Sequence, residues 1–207
     1  MTIFIYKQIH LLGLYNSGTC LVHNMFSTYS KDSGNTIIWK HENNELILRT
    51  CIENNKDCLF IVMYRPLNSW IRSMQKKAYS VTWNNKIDSK CIYRKKEYNN
   101  IADIYNEYYD MYMKFINEYS NVIYLEYNNI VNKNTSYEYI KQKIEPFSIP
   151  MVSKEEFMKI LSMPSKNHGN PVNNSDEALT KINQLKICND YDIYYNAKII
   201  DYFEVSV

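Results

Sequence analysis

Residues 58–64 read CLFIVMY, an uninterrupted apolar run in a chain where charged residues are otherwise frequent. Such a run is typical of a central parallel strand that is covered on both faces. Arg65 follows the run, and Pro66 then favours the start of a helix, because the first helical turn leaves its N–H groups unpaired anyway. The stretch therefore predicts an α/β fold with this strand near its centre.

Outward from this strand, apolar runs bounded by breakers alternate with segments of helical periodicity. Further strands are predicted at 2–6, 9–14, 36–39 and 121–127, and residues 80–100 are interpreted as a loop or flap. Helices are predicted at 18–29, 42–53, 66–77, 101–119, 137–144, 154–161 and near the C-terminus. The tyrosines of 101–119 recur at helical spacing, so we interpret them as core residues and not as a base-stacking platform. The alternation predicts a three-layer α/β/α domain with a central parallel sheet over residues 1–207, with ligands bound beyond the carboxyl ends of the strands.

The composition narrows the classes of protein. The length of 207 residues favours one domain. The net charge of +2 gives no reason to expect nucleic acid as a partner. The five cysteines are odd in number and lack C-x-x-C spacing, so reduced thiols are expected and a zinc site is not. No segment has the length of a membrane span, and the N-terminal segment lacks a cleavage site, which predicts a soluble cytoplasmic protein.

The loop after the first strand, LGLYNSGTC at 12–20, contains two of the four glycines of the chain. Gly13 and Gly18 have the spacing of the P-loop G-x-x-x-x-G-K-[ST], yet Thr19 stands at the lysine position and Cys20 at the metal-binding hydroxyl. Backbone N–H groups from Asn16 to Cys20 would form an anion-binding nest at the start of a helix. The alternative is a structural turn.

A second anion-binding pattern follows the central strand in MYRPLNSWIRS, residues 63–73. Arg65 ends the strand, and Ser73 lies two helical turns further on. A guanidinium can grip two oxygens of one phosphate, and a nearby hydroxyl can complete the site. By itself the pattern also fits an arginine that caps a neighbouring helix.

Together, LGLYNSGTC and IVMYRPLNSWIRS resemble the sulfotransferase family, P-loop-like enzymes that use 3′-phosphoadenosine 5′-phosphosulfate (PAPS). The resemblance implies the sulfotransferase variant of the P-loop NTPase-like fold and a reaction that needs no metal. It also implies that Arg65 and Ser73 hold the 3′-phosphate, and that Tyr127, in VIYLEYNNIV, lies against the adenine end. The loop implied to hold the 5′-phosphosulfate comprises Tyr15, Asn16, Ser17, Gly18, Thr19 and Cys20.

Two further segments extend the resemblance. SKNHGNP, residues 165–171, is similar to the late loop that closes over the nucleotide, which implies cofactor contacts by Lys166, His168 and Gly169. WKH, residues 39–41, falls where the family carries basic residues near the sulfuryl group. This implies His41 as the catalytic base and Lys40 as the cation that stabilises the leaving phosphate, with Glu42 as the rival base.

The sequence departs from the family at Asn16, where a basic residue is usual, and Lys40 is the expected replacement. The predicted reaction moves a sulfuryl group from PAPS to a hydroxyl or amine of a small molecule, glycan or protein and releases 3′,5′-adenosine bisphosphate (PAP). Two alternatives remain: a P-loop nucleotide or nucleoside kinase-like enzyme, and a nucleotide-binding homologue without activity.

Overall fold

The computed structural model describes residues 6–26, 37–86 and 89–163. Within these ranges the chain forms six strands, seven α-helices and one short 3₁₀ helix, Glu145–Phe147. The strands are β1 (Gln8–Gly13), β2 (Cys58–Tyr64), β3 (Val81–Thr82), β4 (Cys91–Tyr93), β5 (Lys96–Tyr98) and β6 (Val122–Glu126). The α-helices are α1 (Thr19–Met25), α2 (Glu45–Asn54), α3 (Leu67–Lys76), α4 (Ile101–Glu118), α5 (Tyr127–Val131), α6 (Ser136–Ile144) and α7 (Lys154–Ser162).

β2 lies in the middle of a parallel sheet in the order β1-β2-β6. All seven of its residues are buried, which confirms the prediction from its apolar sequence. The register pairs Gly13 with Met63 and Tyr64 with Glu126. The carboxyl ends of all three strands therefore lie together at one edge of the sheet.

Helices cover both faces of the sheet because successive strand residues point in opposite directions. Phe60, Val62 and Tyr64 pack with side chains of α2, α3 and α4. Leu59, Ile61 and Met63 pack instead with side chains of α1, α6 and α7. The predicted α/β class with a parallel sheet and helices on both sides is confirmed for the described part of the chain.

Side-chain caps mark where three of the helices begin. Asn44, Asn100 and Ser153 precede α2, α4 and α7, and each accepts hydrogen bonds from backbone N–H groups of the first turn. Such caps satisfy N–H groups that have no partner within the helix. These helices, together with α3 and α6, lie within a few residues of their predicted bounds.

Two expectations about secondary structure are wrong. Residues 37–39 form a bend and not the end of a strand. Within the described residues, the one backbone–backbone hydrogen bond between this segment and the sheet is made by the next residue, Lys40, whose carbonyl accepts from Gly13. Residues 80–100 are not an irregular loop, because they contain the antiparallel sheet β3-β4-β5, which we call the hairpin sheet. Its strands are too short to show a clear alternation, and its tight turn is made by Arg94 and Lys95, both with positive φ, where glycine or asparagine is usual.

Several predictions fall outside the described residues: the strand at 2–6 except for its last residue, the late loop at 165–171 and the C-terminal helices. Among the helices that the structure describes, none combines the length and the apolar character needed to cross a lipid bilayer.

Candidate functional site

The loop between β1 and α1 has an unusual backbone. Asn16 (φ 62°) and Gly18 (φ 99°) both adopt left-handed conformations. Glycine is required at 18, because a Cβ atom there would lie 2.7 Å from Cδ2 of Tyr127. Within the described residues, the N–H groups of Gly18, Thr19 and Cys20 have no hydrogen-bond partner. They form a short run of free donors at the amino end of α1.

The side chains of this loop hold its shape. The buried Ser17 donates its hydroxyl proton to the Leu14 carbonyl at 2.7 Å. The amide of Asn16 donates to the carbonyls of Ser73 (3.3 Å) and Lys77 (2.9 Å), which end α3. At the position where the resemblance leads one to expect a cation, this chain thus uses a side chain that caps the carboxyl end of α3.

Arg65, the first residue after β2, connects the loops that follow the two neighbouring strands. Its Nη1 donates to the Asn16 carbonyl at 2.6 Å, and its guanidinium lies 4.1 Å from the centroid of the Tyr127 ring. Its Nε donates to the Ser69 hydroxyl at 2.9 Å. Burial lowers the pKa of Arg65, but an arginine remains charged near neutral pH. Asn16, Arg65 and Tyr127, which are predicted from separate motifs, therefore meet at one place.

The hydroxyl that Arg65 contacts is that of Ser69, one helical turn before the predicted Ser73. Arg65 precedes α3, and Ser69 lies in the first turn of that helix. Ser73 is half-buried on α3. The sequence motif pointed to Ser73, and the contact of Arg65 with Ser69 became visible only in the structure.

His41 is buried beside the end of β1. Its Nδ1 lies 2.6 Å from the Gly13 carbonyl, which can only accept, so Nδ1 carries the proton and Nε2 has the free lone pair in the neutral ring. Burial lowers the pKa of His41 to about 4; the bond to Gly13 opposes this effect, and the cations Lys40 and Arg94 add to it. At neutral pH the imidazole is therefore uncharged and able to accept a proton at Nε2.

The two other candidates for proton transfer and charge stabilisation have different surroundings. Lys40 Nζ lies 3.1 Å from Cys20 Sγ, which places the cation at the amino end of α1. Burial raises the pKa of Glu42, but hydrogen bonds from Asn44, Arg94 and Asn43 outweigh that effect and hold it below its ordinary value. Because Glu42 is already bonded as a carboxylate, it is a weaker candidate for the base than His41.

Aromatic rings pack against His41. The Tyr15 ring lies 4.3 Å from the His41 ring, and Trp39 meets His41 edge-on at 5.4 Å. Tyr79 stacks on Tyr15 at 5.5 Å. Trp39 and Tyr79 are each 40% exposed, and Arg94 of the hairpin turn lies over the Trp39 ring. A ligand that approaches His41 would meet this partly exposed aromatic surface.

Sequence reasoning missed the residues that hold these segments in place. The hydroxyls of four α4 tyrosines donate to backbone carbonyls of the segments that carry His41 and Arg65. They are Tyr105 to Arg65, Tyr108 to His41, Tyr109 to Met63 and Tyr112 to Glu42. The only available signal was the choice of tyrosine, with its polar hydroxyl, at buried positions of a helix. As predicted, the rings are core residues.

The described residues contain no group of three or more histidine, cysteine or acidic side chains that could hold a metal ion. Lys166, His168 and Gly169 lie outside the described residues. In comparisons with known proteins, no family model, curated protein or solved structure matches the chain.

Proposed function

We propose that the protein is a PAPS-dependent sulfotransferase that transfers a sulfuryl group to a hydroxyl or amine acceptor. The proposal assigns the 5′-phosphosulfate to the loop from Tyr15 to Cys20, the 3′-phosphate to Arg65 with Ser69 and Ser73, and the base to His41. The sulfotransferase variant of the P-loop-like fold is part of this proposal.

The observation that carries the proposal is the position of Arg65. It contacts the Asn16 carbonyl on one side and the Tyr127 ring on the other, so the three motif segments converge at one edge of the sheet. A guanidinium has five N–H donors, and the bonds to Asn16 and Ser69 use two of them. Within the described residues, the other three donors have no hydrogen-bond partner, and we assign them to the phosphate.

The residues present also fit the other phosphate of such a donor. Within the described residues, the N–H groups of Gly18, Thr19 and Cys20 are free and suit anionic oxygens, and the missing side chain at Gly18 lets the Tyr127 ring lie directly against this loop. Lys40 brings a positive charge to the same end of α1, which supports it as the substitute for the missing cation at Asn16. None of these groups requires a metal ion.

When bound, PAPS would supply an activated sulfuryl group attached to a phosphate that can leave. His41 Nε2 takes the proton from the acceptor hydroxyl or amine while Nδ1 keeps its bond to Gly13, which fixes the tautomer and the ring orientation. Lys40 and the N–H groups of the loop stabilise the negative charge that the phosphate gains. Arg65 and the ring of Tyr127 orient the nucleotide for in-line attack.

Calorimetric titration with PAP in the absence of magnesium tests the assignment. We expect micromolar binding by the native protein and binding weaker by about 10- to 100-fold in Arg65→Ala, because a charged hydrogen-bonding partner is lost. Arg65→Lys keeps the charge without the planar fork and should fall between the two. Arg49→Ala, which removes an arginine paired with Glu118 on α4, is the matched control and should bind normally.

Failure of the native protein to bind PAP would contradict the proposal. Magnesium-dependent binding of ATP in its place would favour the kinase-like alternative. The side chain of Asn16, engaged as a cap on α3, supports the second alternative, a nucleotide-binding protein without activity. Tight binding of PAP without transfer from labelled PAPS to any acceptor, in native protein and His41→Ala alike, would favour that alternative.

A further inference from the structure

Buried hydroxyls of α4 connect the core to the candidate site. Tyr105, Tyr108, Tyr109 and Tyr112 recur at helical spacing, and all four side chains are buried. A phenylalanine at each position would fill nearly the same space without a polar atom to satisfy. The presence of the hydroxyls therefore has to be explained by the hydrogen bonds they make, since a buried hydroxyl without a partner is unfavourable.

Tyr108 is the residue of this set that reaches His41. Its hydroxyl donates to the His41 carbonyl at 2.8 Å and lies 2.8 Å from the Tyr93 hydroxyl. A carbonyl can only accept, so the single proton of Tyr108 goes to His41, and Tyr93 must donate to Tyr108. A directional chain thus runs from β4 of the hairpin sheet through α4 to the backbone of His41.

Tyr105 and Tyr109 make the corresponding contacts around Arg65. Tyr105 donates to the Arg65 carbonyl at 3.0 Å. Tyr109 accepts from the Arg65 N–H at 3.2 Å and donates to the Met63 carbonyl at 2.8 Å. Both polar groups of the Arg65 backbone are therefore held by one helix.

We propose that α4 is a positioning element for the site: Tyr108 sets the place of His41, and Tyr105 with Tyr109 sets the place of Arg65. None of these tyrosines needs to touch a ligand. The roles of His41 and Arg65 rest on the proposed function, whereas their positioning by α4 is a property of the free protein and can be tested without it.

The segment that carries His41 depends most on this support. Within the described residues, its one backbone–backbone hydrogen bond to the sheet is that from Gly13 to Lys40, with a side-chain bond between His10 of β1 and the Ile38 backbone, so no ladder fixes it. The hydrogen bonds from Tyr108 to His41 and from Tyr112 to Glu42 (3.4 Å) hold the backbone of this segment in place, as pairing with a neighbouring strand does in the sheet. Arg65, in contrast, directly follows a fully buried central strand.

The test is a reciprocal pair of variants, Tyr108→Phe and Tyr105→Phe, which keep the rings and remove one hydroxyl each. The first readout is the pKa of His41, measured by NMR on the free protein. Tyr108→Phe should raise it from about 4 towards its ordinary value, because the loosened segment lets water reach the ring; Tyr105→Phe should leave it unchanged. Lys40 and Arg94, the cations that lower this pKa, remain in both variants.

The second readout concerns Arg65. Tyr105→Phe should speed the exchange of the Arg65 Nε proton with water and weaken PAP binding by about fivefold, and Tyr108→Phe should do neither. Tyr137→Phe, which removes a hydroxyl that contacts the Val152 carbonyl, is the control for the chemistry of the substitution.

An unchanged His41 pKa in Tyr108→Phe, or equal changes of both readouts in both variants, would overturn the proposal in favour of general packing. If the native protein does not bind PAP, the proposed function fails, while the His41 pKa and the Arg65 proton exchange still decide the role of α4.

Discussion

Replacing Gly18 by alanine tests the contact between the β1–α1 loop and Tyr127. A left-handed conformation costs a non-glycine residue about 1–2 kcal/mol. The new Cβ atom would also lie 2.7 Å from Cδ2 and 3.0 Å from Cε2 of Tyr127, so the ring must move. Overpacking of this kind costs about 1–3 kcal/mol. We therefore expect Gly18→Ala to lower the free energy of unfolding by about 2–5 kcal/mol.

Urea denaturation of Gly18→Ala in two backgrounds separates the two contributions. In the Tyr127→Ala background the clash is gone and the backbone strain remains, so the same substitution should cost only about 1–2 kcal/mol. A Gly18→Ala protein as stable as the native one would refute the left-handed backbone at 18. An equal cost in both backgrounds would refute the close approach of Tyr127.

Three further predictions concern stability. Burial lowers the pKa of His41 to about 4, whereas the unfolded chain has about 6.5, so only the unfolded state gains a proton between these values. As pH drops through this window, His41 alone should lower stability by about 3 kcal/mol. Burial also lowers the pKa of His10 to about 4, which acts in the same direction. Urea denaturation at about pH 7 and about pH 4.5 should therefore show a smaller loss of stability in His41→Asn than in the native protein, but not its complete absence. Asn16→Ala removes the cap on α3 and places alanine at φ 62°, so its thermal unfolding should show about 2–3 kcal/mol less stability; an unchanged midpoint would contradict the capping role. Lys95→Gly relieves a left-handed conformation (φ 65°) at the hairpin turn and should raise the free energy of unfolding in urea by about 0.5–1 kcal/mol. Arg94→Gly also loses the contacts with Trp39 and Glu42, so it should not stabilise the protein. A destabilised Lys95→Gly protein would argue against the turn.

The sequence predicts those strands and helices that are long enough to show a clear pattern of apolar residues. The apolar run of β2 and the long amphipathic pattern of α4 each contain enough residues to decide between strand and helix. The hairpin sheet could not be predicted, because three-residue strands show almost no pattern. The turn of Arg94 and Lys95 lacks the residues that normally mark positive φ.

The candidate site also contains features that the local sequence pattern predicts and features that it does not. The sequence predicted a parallel sheet with ligands beyond the carboxyl ends of its strands, and the strand order brings Arg65 between Asn16 and Tyr127. The contact from Tyr108 to His41 joins segments far apart in the chain and depends on how α4 docks. No local pattern encodes it, so it could be found only in three dimensions.

The central place of β2 also has a consequence for synthesis on the ribosome. Its partner β1 precedes it, but β6 lies far downstream, beyond the hairpin sheet and α4. Until β6 has emerged, the nascent chain presents one unpaired edge of an apolar strand that contains neither charge nor proline. Such an edge is a template for association between chains. The interval between the translation of β2 and that of β6 is therefore a period when growing chains are exposed to aggregation, and when a chaperone that covers apolar strands would protect them.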